Sequence, residues 1–129
     1  MEIHKLNENI KFILENNIVF IKEHVIYMII KEINLFIDET NKKLKTDIDN
    51  ISKETIYRAL DYTYHIIKTK SKKVSNKVTI FWIAMIIANK YINDSPLLNE
   101  DWSIFLKIKN KWLVDFEREF LKEIDWNLR

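Results

Sequence analysis

Apolar residues recur along this chain at steps of three and four, and almost nowhere at the alternation of a half-buried strand. Ile3, Leu6, Ile10, Ile13 and Leu14 keep helical spacing within residues 1–16. A longer stripe, from about Ile18 to Thr40, includes Ile18, Ile21, Val25, Met28, Ile29, Ile33, Phe36 and Ile37. The polar stretch 41–47 reads as a loop. Ser52 is a favourable N-cap for a helix with Glu54 and Thr55 in its first turn, burying Ile56, Ala59, Leu60, Thr63, Ile66 and Ile67. Residues 68–73 break that pattern and read as a second loop. Ser75 is placed to cap a helix that is apolar nearly all round from Val78 to Tyr91, which predicts that other helices surround it. It should stop at Asn93-Asp94-Ser95-Pro96. Asn99 is the expected cap of a short helix through Trp102, Phe105 and Leu106, with Glu100 and Asp101 at its positive end. An amphipathic helix from about Lys111 to Asp125 closes the pattern.

The prediction is therefore an all-α fold: five main helices around one of their number, with residues 1–16 as an N-terminal extension and 17–129 as the domain. Composition agrees. The chain of 129 residues has no glycine and a single proline, so sheet folds would lack their usual corner residues. Hydrophobic residues at 47% and charged ones at 31% are the balance of a globular protein. With no cysteine there is no disulfide, thiolate metal site or cysteine nucleophile. His4, His24 and His65 have no metal-binding spacing, and no glycine-rich phosphate cradle is present. Asp38-Glu39 and the group Asp115, Glu117, Glu119 read as solvated surface rather than a catalytic dyad. Neither an enzyme nor a bound cofactor is expected. The N-terminus has no apolar stretch of the signal-peptide kind, and the longest apolar run, Ile80 to Ala88, is too short to span a bilayer. An intracellular protein, of cytoplasm or nucleus and without membrane partners, is expected.

Two charges violate the binary pattern. Glu117 shares a face with Leu113, Phe120 and Ile124, and Lys90 continues the line of Ile83, Ile86 and Ile87. An isolated charge withdrawn from water costs several kcal/mol, roughly, so each must be paired or reach an edge. The pattern leaves two readings: each side chain snorkels separately to solvent, or the two meet at the rim of the packing and offer hydrogen-bonding groups to a partner. The net charge of +2 decides nothing.

Three stretches carry a family likeness. Ile87-Ala88-Asn89-Lys90-Tyr91-Ile92-Asn93-Asp94, Asn99-Glu100-Asp101-Trp102, and Leu113 to Leu128 with Glu117, Phe120, Leu121, Trp126 and Leu128 at set spacings resemble the second half of a cyclin box. The branch they resemble holds the yeast phosphate-regulon cyclins and cyclin Y. The likeness implies a five-helix cyclin box that binds and activates a cyclin-dependent protein kinase, as a heterodimer, by docking on its C-helix. It implies that Lys90 and Glu117 form a paired feature facing the kinase, with Ile87, Tyr91, Leu121 and Trp126 as apolar contacts. Asn99 and Trp102 would build the fold. The chain departs from the family at Tyr64-His65, where cyclins usually carry aspartate-arginine, and at Met28, which no arginine follows. Those residues make an ionic tie between the first two helices of the box.

Lys68, Lys70, Lys72, Lys73 and Lys77 form a second candidate, read either as a solvated loop or as a patch for an acidic or phosphorylated substrate segment. Nucleic acid is disfavoured by the near-neutral charge and by the lack of a basic helix face. The alternative function is a cyclin-fold adaptor that holds another protein or a nucleic acid without activating a kinase.

Overall fold

The computed structural model of the chain describes residues 3–16, 23–69, 77–93 and 96–123, with the side chains of residues 16, 67–69 and 123 excepted. Among them are six helices and no strand: α1 (Ile3–Asn16), α2 (Glu23–Leu44), α3 (Lys53–Thr69), α4 (Lys77–Ile92), α5 (Asn99–Leu106) and α6 (Asn110–Glu123). The all-α expectation holds.

α4 sits at the centre because its sequence leaves no alternative. Every residue from Phe81 to Asn89 is buried, so no face is left for water. α3 lies along it, and α1 and α6 cover its other sides. α5 reaches it through an edge-on contact of Phe105 with Trp82, ring centroids 5.4 Å apart, while Phe36 of α2 meets the same Phe105 ring at 4.9 Å. α1 is part of this core: Leu6, Ile10 and Leu14 are fully buried, and Asn7 accepts a 2.7 Å hydrogen bond from the Trp82 indole.

The chain turns without glycine. Lys45 and Lys107 take the left-handed conformation, φ 55° and 56°, that glycine normally supplies after a helix, at a cost of about 1 kcal/mol each. Each closes its helix with backbone bonds: Thr46 donates to the Asn41 carbonyl, and Ile108 to that of Ser103. The segment after α2 is pinned by two asparagines, two turns apart on that helix. Asn41 and Asn34 each receive a backbone N–H on the side-chain oxygen and give a side-chain N–H to the same residue's carbonyl, at Ile48 and Ile51 respectively. Both isoleucines are thereby held in the core. Ser52 caps α3 as the sequence indicates, its hydroxyl accepting from Thr55 N–H at 3.2 Å.

Several expectations need correction. α2 runs on to Leu44, so residues 41–44 are helical rather than loop: nothing there breaks a helix, and Lys42 and Lys43 suit its negative end. Lys68 and Thr69 belong to α3 for the same lack of a stop signal. Met28 is 49% exposed, because it lies roughly 95° round the helix from the middle of the stripe that Val25, Ile29, Ile33 and Phe36 define; Ile26 is buried instead. Asn99 is the first residue of α5 and not its cap. The Asp101 carboxylate does that work from inside, accepting the Leu98 N–H at 3.2 Å. Ile18, Ile21, Ser75 and Ile124 lie outside the described residues. α2 and α3 are joined by an exposed Glu23–Lys53 ion pair and by the Asn34–Ile51 bonds.

Two outcomes follow from this packing. Ile10→Ala should destabilise the fold by about 3 kcal/mol, since α1 fills the core and the cavity cannot collapse fully; urea denaturation measures it, and a loss near zero would mean that α1 is dispensable. Burial pushes the Tyr64 hydroxyl up to about 12, and it has no hydrogen-bond partner among the described residues. A tyrosine ionises near 10 when unfolded, so its contribution is complete below about pH 10 and is lost as pH rises towards about 12. Tyr64→Phe should therefore lose less stability than the parent between neutral pH and about pH 11, a range in which the parent has begun to lose this contribution. Identical alkaline losses would contradict this.

Candidate functional site: a charged pair at the rim of α4 and α6

α4 must stop being apolar where it leaves the core, and the last residues before its end manage that change. Asn89 is buried, with its side-chain oxygen accepting the Leu97 N–H at 2.9 Å, so it folds the following turn back against the helix end. The next residue, Lys90, is thrown outward. On α6, Leu113 and Phe120 are buried, and Glu117 lies on the flank of their stripe that turns towards α4.

The two charges meet. Lys90 Nζ donates to Glu117 Oε1 at 2.8 Å and to Oε2 at 3.0 Å. Their side chains are 37% and 16% exposed, so the carboxylate is the more enclosed of the two and the ammonium faces outward. A pair in this position is screened less than one on the open surface and keeps part of its hydrogen-bonding capacity for a partner.

The surrounding residues are unequal in what they present. Tyr91 is 52% exposed and Leu121 partly buried, whereas Ile87 is only 5% exposed and belongs mostly to the core. Trp126 lies outside the described residues. Tyr62 of α3 packs under the rim, its ring 6.3 Å from that of Phe120. Burial pushes its hydroxyl pKa upward, partly offset by the nearby Arg58 guanidinium. Arg58 itself lies over the Tyr91 ring, its Cζ 5.6 Å from the centroid.

Sequence reasoning missed Arg58 and Tyr62. Their four-residue spacing put them on one side of α3, but nothing in that spacing said that this side meets the end of α4. Asn89 was hidden within an apolar run. Asn99 is half-buried and Trp102 fully so, the latter edge-on to Phe105 at 5.8 Å.

The lysine group is not assembled into one site among the described residues. Lys70, Lys72 and Lys73 fall outside them, as does the side chain of Lys68. Lys77 stands at the opposite end of α4 from Lys90, about 20 Å along the helix. There it lines a cleft of about 470 Å³ with Glu8, Lys11 and Glu15 of α1, over a floor that includes Val78, Trp82 and Leu106. No cluster of metal-binding side chains occurs among the described residues, and no helix among them is long and apolar enough to cross a membrane.

The class defined by these features is an all-helical domain wrapped round one buried helix, with a preformed ion pair on its rim. Residues 44–129 match the cyclin N-terminal domain, a span that starts at the last residue of α2 and takes in α3 to α6. The chain belongs to the cyclin family. It is 33% identical over 82 residues to the PHO85 cyclin CLG1 of Saccharomyces cerevisiae, a match covering 57% of this chain and 18% of that protein. The chain thus spans less than a fifth of the length of that relative. No solved structure gives a significant match.

The pair itself is testable without any partner. A double-mutant cycle with Lys90→Met and Glu117→Gln should return a coupling of about 1 kcal/mol in unfolding free energy, above the typical exposed pair because the carboxylate is mostly enclosed. A coupling of zero would mean that the two side chains do not hold each other in solution.

Proposed function

We propose that this chain is the kinase-docking domain of a cyclin, a regulatory subunit without chemistry of its own that binds a cyclin-dependent protein kinase and activates it. The observation that carries the reading is the Lys90–Glu117 pair, held ready at the rim and bordered by apolar side chains. Family membership and the likeness to a PHO85 cyclin support it.

In this reading α4 and α6 present the pair to the kinase, with Tyr91, Leu121 and the edge of Ile87 around it and Trp126 as a further apolar contact for the kinase. Lys90 donates to backbone carbonyls at the end of the kinase's C-helix, and Glu117 accepts from backbone N–H groups there. The apolar border excludes water and so strengthens both bonds. Docking holds the C-helix inward, which lets the kinase's own lysine–glutamate ion pair form and aligns ATP. The domain that does this is residues 17–129, with 1–16 as an extension packed on it. The lysine group at 68–77 is reserved for an acidic or phosphorylated substrate segment.

The test is calorimetric binding to purified cyclin-dependent kinases, the PHO85 kinase among them, followed by an assay of phosphotransfer. Wild type should bind one of them and raise its activity. Lys90→Ala or Glu117→Ala should weaken binding by about 2–5 kcal/mol, because the remaining charge is left buried and unpaired. Wild-type affinity in both variants would remove the site, and binding without activation would favour the adaptor.

A further inference from the structure

Among the described residues, charge at the rim does not balance. The enclosed carboxylate there, Glu117, has both oxygens engaged by Lys90. Arg58, half-exposed, approaches the same surface from α3 and has no carboxylate partner among the described residues. Asp61, one turn further along α3, lies near Tyr62 and is exposed, yet it forms no ion pair with Arg58. Instead the guanidinium rests over the face of Tyr91, the residue next to Lys90. A guanidinium over an aromatic ring keeps its N–H donors in one plane and restricted in direction; the Tyr62 hydroxyl lies beside this one and leaves the rest of its five-donor fork for another acceptor. Flat, paired donors of this kind fit the two oxygens of a carboxylate.

We infer that Arg58, aimed by Tyr91, is a specificity-determining residue of the docking face that takes a carboxylate side chain from the bound kinase, beside the backbone contacts of Lys90 and Glu117. The inference rests on the kinase-docking reading and deepens it. Tyr91 changes role accordingly: its ring positions the guanidinium and is more than an apolar contact. A partner lacking an acid at that place would leave Arg58 unpaired against the interface, so the residue discriminates between kinases as well as adding affinity.

The measurement is calorimetric binding of the PHO85 kinase to wild type, Arg58→Met, Arg58→Lys, Tyr91→Leu and Glu117→Ala, at salt concentrations of about 50 and 300 mM, across which screening changes strongly. Arg58→Met should weaken binding about tenfold, in line with loss of a charged hydrogen-bonded contact, and should flatten the salt dependence. Arg58→Lys, which keeps the charge and the fold but not the planar fork, should recover the salt dependence and only part of the affinity. Tyr91→Leu should fall between wild type and Arg58→Met. An Arg58→Met variant with wild-type affinity and salt slope, beside a Glu117→Ala variant that has lost binding, overturns this inference and leaves the docking reading standing. Binding that none of the variants affects, or a wild type that binds neither this kinase nor any other of the cyclin-dependent kinases, overturns both.

Discussion

Everything in this fold is arranged around a helix that water cannot be allowed to touch. From Phe81 to Asn89 α4 is buried on every side, and an apolar cylinder of that kind has to be enclosed by several neighbours rather than laid on one. The number of helices follows, since α1, α3 and α6 are each needed to cover a side, with α5 closing the aromatic junction of Trp82, Phe105 and Phe36. The same requirement fixes where polar chemistry can occur. A helix with no polar face can expose charge only at its ends, and Lys90 is the first charged residue after the buried stretch.

That placement explains the character of the rim. Lys90 and Glu117 are close enough to the packed core to be partly dehydrated, yet the ammonium still faces outward. Deeper burial would raise the cost of removing both charges from water beyond what their attraction returns, while full exposure would leave a weak, screened contact. A pair at the boundary is held in position by a single partner and retains donors and lone pairs for another molecule. Arg58 and Tyr91 repeat the arrangement in a different form, with an aromatic face in place of the carboxylate.

The absence of glycine gives the scaffold its particular construction. Two lysines accept left-handed backbone, and two asparagines on α2 clamp the returning chain with paired amide bonds. These devices stiffen the connections that a glycine-containing chain would leave loose. Cyclins usually carry an arginine after the methionine that Met28 resembles and an aspartate-arginine pair where this chain has Tyr64-His65; here Asn34 bonds the backbone of Ile51, and Glu23 meets Lys53 at the surface.

The sequence by itself determined the helical class, the central place of α4 and the identity of its outgoing charge, because burial period and charge position are written residue by residue along one helix. It singled out Glu117 by the same means, and the likeness to cyclins rested on spacings within single elements. Helix ends were less legible: Leu44 and Thr69 extend their helices past polar stretches that carry no stop signal, and α5 is capped by Asp101 rather than Asn99. Only the tertiary structure decided that Lys90 and Glu117 reach each other, that Ile87 points inward while Tyr91 stays out, and that Arg58 lies over that ring. Contacts between helices depend on their crossing angles and offsets, which are set by how whole faces interlock, and no local periodicity records them.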